Sequence, residues 1–145
     1  MKMDHHCPWT GNCIGLLNHK KFWLFCFYSF WGLITMGIVL SKDAETHKYD
    51  NVMMASFAVG ASVVVLLILH TYFILNYWST VEYGPLYYDN IFKDYSYMEA
   101  WRKVFGNNCL LWLLPLGSPD PKEGLDYGAN RDPGGLVEIS DHALN

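Results

Sequence analysis

Phe22 to Leu40 reads FWLFCFYSFWGLITMGIVL, a run of 19 residues without a charge. That is the length a helix needs to cross the hydrocarbon core of a bilayer. A second stretch, Val52 to Tyr77, is also uncharged, with His70 its one readily ionisable side chain, and is long enough to cross with some tilt. Neither stretch suits the buried helix of a soluble protein, which is usually shorter and patterned on one face. The first is too long and too far from Met1 to read as a signal-peptide core. The connection Ser41 to Asn51, SKDAETHKYDN, is short and polar, so the two spans are expected to run antiparallel as a hairpin with both termini on one side. Lys20 and Lys21 before the first span, and Lys93, Arg102 and Lys103 beyond the second, weigh weakly for cytosolic termini against Lys42 and Lys48 in the loop. Trp23 and Trp78 sit where interfacial aromatics often anchor spans.

Outside the spans the chain divides by composition. Residues 1–21 form a polar, turn-rich head holding three of the six histidines and two of the four cysteines. Residues 78–117 follow the second span; within them Ser96 to Glu99 reads as a capping box opening a short helix that Gly106 closes. Met98, Trp101 and Phe105 fall on one face of that helix, which is expected to dock on the bundle or the membrane surface. The tail 118–145, with Pro119, Pro121 and Pro133 and four glycines, lacks apolar periodicity and is expected to be disordered. The net charge of −4 comes largely from this end, and the lack of a basic patch argues against nucleic acid as a partner. Four scattered cysteines make metal binding or thiol chemistry a better expectation than a disulfide framework.

The head string Asp4-His5-His6-Cys7-Pro8-Trp9 gathers an acid, two imidazoles and a thiol. Two chemistries suit it. An imidazole beside a thiol can take its proton and make a nucleophile, with a carboxylate fixing the tautomer. His and Cys at short spacing are equally a zinc signature, and Cys13 strengthens that reading. From chemistry alone both stay open, and they are compatible.

The longer string MDHHCPWTGNCIGLLNHKKF, with the Cys7 to Cys13 interval, Asn18 and Phe22 in register, resembles the second half of the cysteine-rich domain of the DHHC-type palmitoyltransferases. A span follows directly. The second span is followed by Ser79-Thr80-Val81-Glu82, similar to the family's Thr-Thr-x-Glu motif, and WRKVFGNN and WLLPL, at 101–108 and 112–116, resemble its C-terminal region. The resemblance implies an all-α membrane protein: a transmembrane hairpin with spans at 22–40 and 52–77, a lumenal loop at 41–51, a zinc-domain remnant at 1–21 and a short C-terminal amphipathic helix. It implies the C-terminal part of a four-span enzyme, without the first two spans and the first half of the cysteine-rich domain. The implied activity is transfer of a long-chain acyl group from palmitoyl coenzyme A, through Cys7, to cysteines of cytosolic or membrane-associated proteins. The membrane would be the Golgi, endoplasmic reticulum, vacuole or plasma membrane.

Carried over residue by residue, the resemblance makes Cys7 the nucleophile, His5 the base and Asp4 its orienter. His6 and Cys13 would be two of four ligands to a structural zinc, leaving the sphere incomplete within this chain. Asn18, Ser79, Thr80 and Glu82 would support the site. Trp9, Phe22, Phe25, Ser29 and Gly32 would contact the acyl chain, the last four lying on one helical stripe about 15 Å long, with Gly32 where bulk would stop the chain. A competing reading is a truncated, non-catalytic membrane adaptor; a channel subunit is poorly served by spans with one ionisable residue. His70 is either functional or a neutral histidine bonded across the bundle. Cys26 and Cys109 read as packing residues or as sites of lipidation, and the Met53-Met54 pair as packing.

Overall fold

The computed structural model describes residues 3–42, 48–81, 83 and 95–117. Glu82, Lys93, the middle of the connection between the spans and the tail from Ser118 lie outside the described residues, and the expectations made for them with them.

The head is an antiparallel hairpin of β1 (Met3–Cys7) and β2 (Asn12–Gly15), a small sheet that an all-helical expectation leaves out. Its turn closes with the Gly11 N–H donating to the Pro8 carbonyl at 3.3 Å, and Gly11 takes φ 60°, the left-handed region glycine enters without penalty. Helix α1 (Leu16–Ser41) and helix α2 (Asp50–Leu75) follow, 26 residues each. At about 1.5 Å per residue each is roughly 39 Å long, more than a bilayer's hydrocarbon core. Helix α1 begins at Leu16, ahead of the charge-free run, because its start is capped from within the head. The Asn18 amide accepts from the Gly15 N–H at 2.8 Å and donates to the Cys13 carbonyl at 2.9 Å, which ties hairpin and helix together.

The two helices pack directly on each other. A Cβ on Gly37 would lie 2.8 Å from the Phe57 ring, and one on Gly60 would be 3.6 Å from Ile34, so glycine permits this approach. Only 17% of the most apolar window of either helix is buried. Trp31, Val52, Met54, Ile68 and Leu69 are exposed, the reverse of a soluble protein's core helix. Trp23 is not an exposed anchor: it lies between the elements, its indole donating to Thr71 Oγ1 at 2.9 Å.

Helix α2 stops at Leu75, where Tyr77 adopts φ 53°. The Trp78 N–H reaches the Phe73 carbonyl at 2.8 Å and the Tyr77 N–H the Ile74 carbonyl at 3.1 Å. This is the Schellman pattern, with tyrosine where glycine is usual. Helix α3 (Tyr97–Phe105) has the expected capping box, Ser96 N–H to Glu99 Oε2 at 2.8 Å and Glu99 N–H to Ser96 Oγ at 3.4 Å, and closes at Gly106. The face it buries differs from the expected one. Ala100, Val104 and Phe105 are buried with Leu16, Ile74 and Tyr77, Trp101 stacks on Phe105, and Met98 is exposed. The chain then runs back along α1. The buried Lys20 ammonium donates to the Leu111 and Leu116 carbonyls at 2.9 and 2.7 Å, and the Tyr28 hydroxyl donates to the Leu113 carbonyl.

Gly37→Leu should drive the helices apart, lowering unfolding free energy in detergent by about 1–3 kcal/mol, and Phe57→Ala in the same chain should restore part of it. Unchanged thermal unfolding of Gly37→Leu would show that Phe57 swings clear.

Candidate active site

Strand periodicity divides the labour in the head. Side chains alternate across a strand, so His5 and Cys7 share one face of β1, turned toward the helices, while His6 lies on the other. His6 pairs directly with Cys13 across the hairpin. Asp4 belongs with His6 by simple alternation, yet it is 2% exposed. The register slips between Met3 and His5, leaving Asp4 without a cross-strand partner, and such a bulge re-aims a side chain. The carboxylate thereby joins His5.

The His5 Nδ1 and Asp4 Oδ2 atoms are 2.6 Å apart. Asp4 Oδ1 accepts from the Thr80 N–H at 2.8 Å, and the Thr80 hydroxyl donates to the Asp4 carbonyl at 2.5 Å. The sharp exit from α2 at Tyr77 places Thr80 there. Ser79 is buried beside it. Burial works against charge on both His5 and Cys7. For His5 it is outweighed by the hydrogen bonds to Asp4 and to Cys7, so the imidazole is held above its ordinary pKa. For Cys7 it is outweighed by hydrogen bonds from Thr10 and His5, so the thiol is held below its own. Both shifts favour a thiolate beside an imidazolium.

The thiol opens onto a cavity of about 540 Å³ between α1 and α2, within the roughly 300–1,000 Å³ of ordinary ligand pockets. Cys7, His5, Pro8 and Trp9 line its head end, and Phe22, Phe25, Cys26, Ser29 and Leu33 its α1 side. Leu66, Val63, Ser62 and Val59 complete the α2 side. Of the expected stripe, Gly32 is not among the residues that line the cavity. At about 100° per residue, Gly32 sits roughly 80° off the line of Phe22, and Leu33 only about 20° off it. The lining on this side runs Phe22, Phe25, Cys26, Ser29, Leu33. The cavity also reaches His70, which lies 3.1 Å from His19, so His70 is bonded across the bundle. His19, buried at the start of α1, was not singled out from the sequence, because between Asn18 and Lys20 it reads as one more polar residue of the head.

His6 Nδ1 and Cys13 Sγ are 3.5 Å apart. Tetrahedral Zn–S and Zn–N bonds of about 2.3 and 2.0–2.1 Å put these atoms about 3.6 Å apart, so the pair fits one edge of a zinc sphere. Cys7 faces away from this edge. Cys109 is exposed and far along the chain near Asn108, whose side chain caps the short 3₁₀ turn Cys109–Leu111.

A short acid, imidazole and thiol array thus stands at the head of an apolar cavity between two membrane-length helices. A family model for DHHC palmitoyltransferases matches residues 1–85, and the chain belongs to that family of membrane proteins. Among its relatives, probable protein S-acyltransferase 15 of Arabidopsis thaliana is 27% identical over 91% of this chain and 61% of its own length. Palmitoyltransferase ZDHHC2 of Danio rerio is 31% identical over 81% of this chain and 37% of its own, and ZDHHC15 of Rattus norvegicus is 30% identical over 88% and 42%. The chain thus spans between about a third and three fifths of these curated relatives.

If His6 and Cys13 hold zinc, His6→Ala and Cys13→Ala should each lower zinc content and melting temperature together, and Cys7→Ala should leave both near the parental values. Metal analysis showing Cys7→Ala to lose as much zinc as Cys13→Ala would reverse the assignment.

Proposed function

We propose that this chain carries the catalytic centre of a protein S-acyltransferase, with Cys7 as the residue that becomes acylated. The observation that carries the reading is the apolar cavity with Cys7 and His5 at its head end. An alkyl chain gains roughly 0.8 kcal/mol per buried methylene, so a donor with a long acyl chain threads between α1 and α2 and leaves its thioester at Cys7. The donor class is long-chain acyl coenzyme A, as the names of the relatives suggest palmitate in particular.

In the first step the Cys7 thiolate, its proton on His5, attacks the thioester carbonyl carbon. The bond from that carbon to the coenzyme A sulfur breaks, and the leaving thiolate takes the proton from His5. In the second, a substrate protein's cysteine gives its proton to His5 and attacks the acyl-Cys7 carbonyl, and Cys7 leaves as the thiolate. Each step exchanges one thioester for another, so thiolate supply and positioning are what the site contributes. Asp4 fixes the ring orientation of His5 and stabilises its charge. Zinc held by His6 and Cys13, with further ligands, would cross-link the hairpin without entering the chemistry. Substrate proteins are those that present cysteines at the membrane surface. The head and α3 face the cytosol, on an endomembrane or plasma membrane.

Expressed from its complete open reading frame and given palmitoyl coenzyme A, the protein should form a hydroxylamine-sensitive adduct on Cys7. Cys7→Ser should abolish it, and His5→Ala should slow it by about 10²–10⁴-fold. Full adduct in the Cys7→Ser protein would move the chemistry elsewhere.

The corrected lining gives a second expectation. Ser29→Phe should shift the adduct, read by mass spectrometry from mixed acyl coenzyme A, toward fourteen carbons or fewer, whereas Gly32→Phe should leave the profile as it was. A shift in Gly32→Phe alone would restore the original stripe and refute the cavity line drawn through Leu33.

A further inference from the structure

Two buried imidazoles, His19 and His70, stand behind the Asp4, His5 and Cys7 array. His70 comes from α2, within the membrane-length helix, and His19 from the first turns of α1. His70 Nδ1 lies 3.1 Å from His19 Nε2 and 3.8 Å from Asp4 Oδ2. Its ring centroid is 5.4 Å from that of His5 and 4.8 Å from that of Phe22. Ligating atoms of Asp4, His19 and His70 all lie within 4.8 Å of one another.

The Asp4 carboxylate is held on two sides, by the Thr80 N–H on Oδ1 and by His5 on Oδ2. A rotation about its terminal bond would break both contacts, and it is the His70 ring that lies against Oδ2 and opposes that rotation. The bond to His19 fixes the orientation of the His70 ring in turn. A divalent cation among the same three residues would have to share Oδ2, which His5 already holds at 2.6 Å, so the direct network is the better account. The same His70 ring lines the cavity beside His5 and Cys7, which puts it between the substrate's place and the carboxylate.

We propose that His70, braced by His19, is a positioning residue for acyl transfer: its ring keeps the Asp4 carboxylate aligned on His5 and forms the wall between that carboxylate and the acyl cavity. The proposal rests on the acyltransferase reading above.

The test uses the protein from its complete open reading frame, with the rate of hydroxylamine-sensitive Cys7 adduct formation measured across palmitoyl coenzyme A concentrations. His70→Phe should lower kcat by about tenfold, a fraction of the roughly 10²–10⁴ supplied by a positioned acid–base group, with KM changed less than about threefold. His70→Asn, which keeps a polar atom near the Nδ1 position, should recover most of the loss, and His70→Gln, whose amide sits farther out, should not. In an Asp4→Asn background His70→Phe should cost little more, because coupled residues are not additive. Equal kcat in His70→Phe and the parent, a change in KM alone, or a full tenfold loss persisting in the Asp4→Asn background would overturn the proposal. So would loss of one metal equivalent per chain in His70→Asn and His70→Phe, which would make the cluster a metal site. Should His70→Phe not fold, equal activity of His70→Asn and His70→Gln overturns it. Absence of any adduct in the parental protein would overturn the acyltransferase reading itself, a failure distinct from these.

Discussion

A carboxylate taken out of water has to be surrounded by donors, or it costs several kcal/mol. Asp4 is such a group, and most of the architecture around the head follows from meeting its demands. Its donors come from separate parts of the chain: His5 beside it, and the backbone of Thr80, 76 positions further on. The hairpin is therefore fastened to the exit of α2 through a buried anion. The left-handed conformation of Tyr77 belongs to the same arrangement, since a helix that continued would carry Thr80 away from the head. A tyrosine in that region is strained by roughly 1 kcal/mol or more, offset here by the bonds the turn makes possible.

The two long helices and the grouping of Asp4, His5 and Cys7 at one place were legible because their signals are local. Uninterrupted apolar runs, Phe22 to Leu40 above all, declare spans, and an acid, imidazoles and a thiol in one short string declare chemistry. The cap at Ser96 and Glu99 was legible for the same reason. What escaped depends on contacts between distant segments. The bulge that turns Asp4 inward is a matter of register with β2, which periodicity alone does not specify. The buried face of α3 is set by where Leu16, Ile74 and Tyr77 converge, so it turned toward Ala100 and Val104 and left Met98 outside. Leu33 and Cys26 line the cavity without having been picked out by spacing, and Gly32 is not among the lining residues. In a span that is apolar all round, nothing in composition marks which face meets its partner.

The cavity and the acid, imidazole and thiol array share walls, so packing ties the shape of one to the geometry of the other. Phe22 closes on His5 at 5.2 Å in edge contact, and both line the space that begins at Cys7. The far walls, Leu33 and Val59, belong to the region where Gly37 and Gly60 let the helices approach. Helix separation at one end therefore shapes the room available at the other. The strap held by Lys20 and Tyr28 lies along α1, and neither of those residues lines this space.

The hairpin also has a consequence for how such a head can vary over evolutionary time. What keeps His5 with Cys7, and His6 with Cys13, is odd-and-even parity along two paired strands rather than any particular distance. Substitutions preserve parity whatever their chemistry. Losing or gaining one residue between Asp4 and Cys7 would exchange the two faces, sending the thiol toward the side of Cys13 and a head histidine away from the cavity. Changes in length are confined to the turn from Pro8 to Gly11, and even there only to those that return Asn12 and Cys13 to the same register. Outside the residues that make the site, its turn and its cap, a head built this way tolerates changes of composition more readily than changes of spacing.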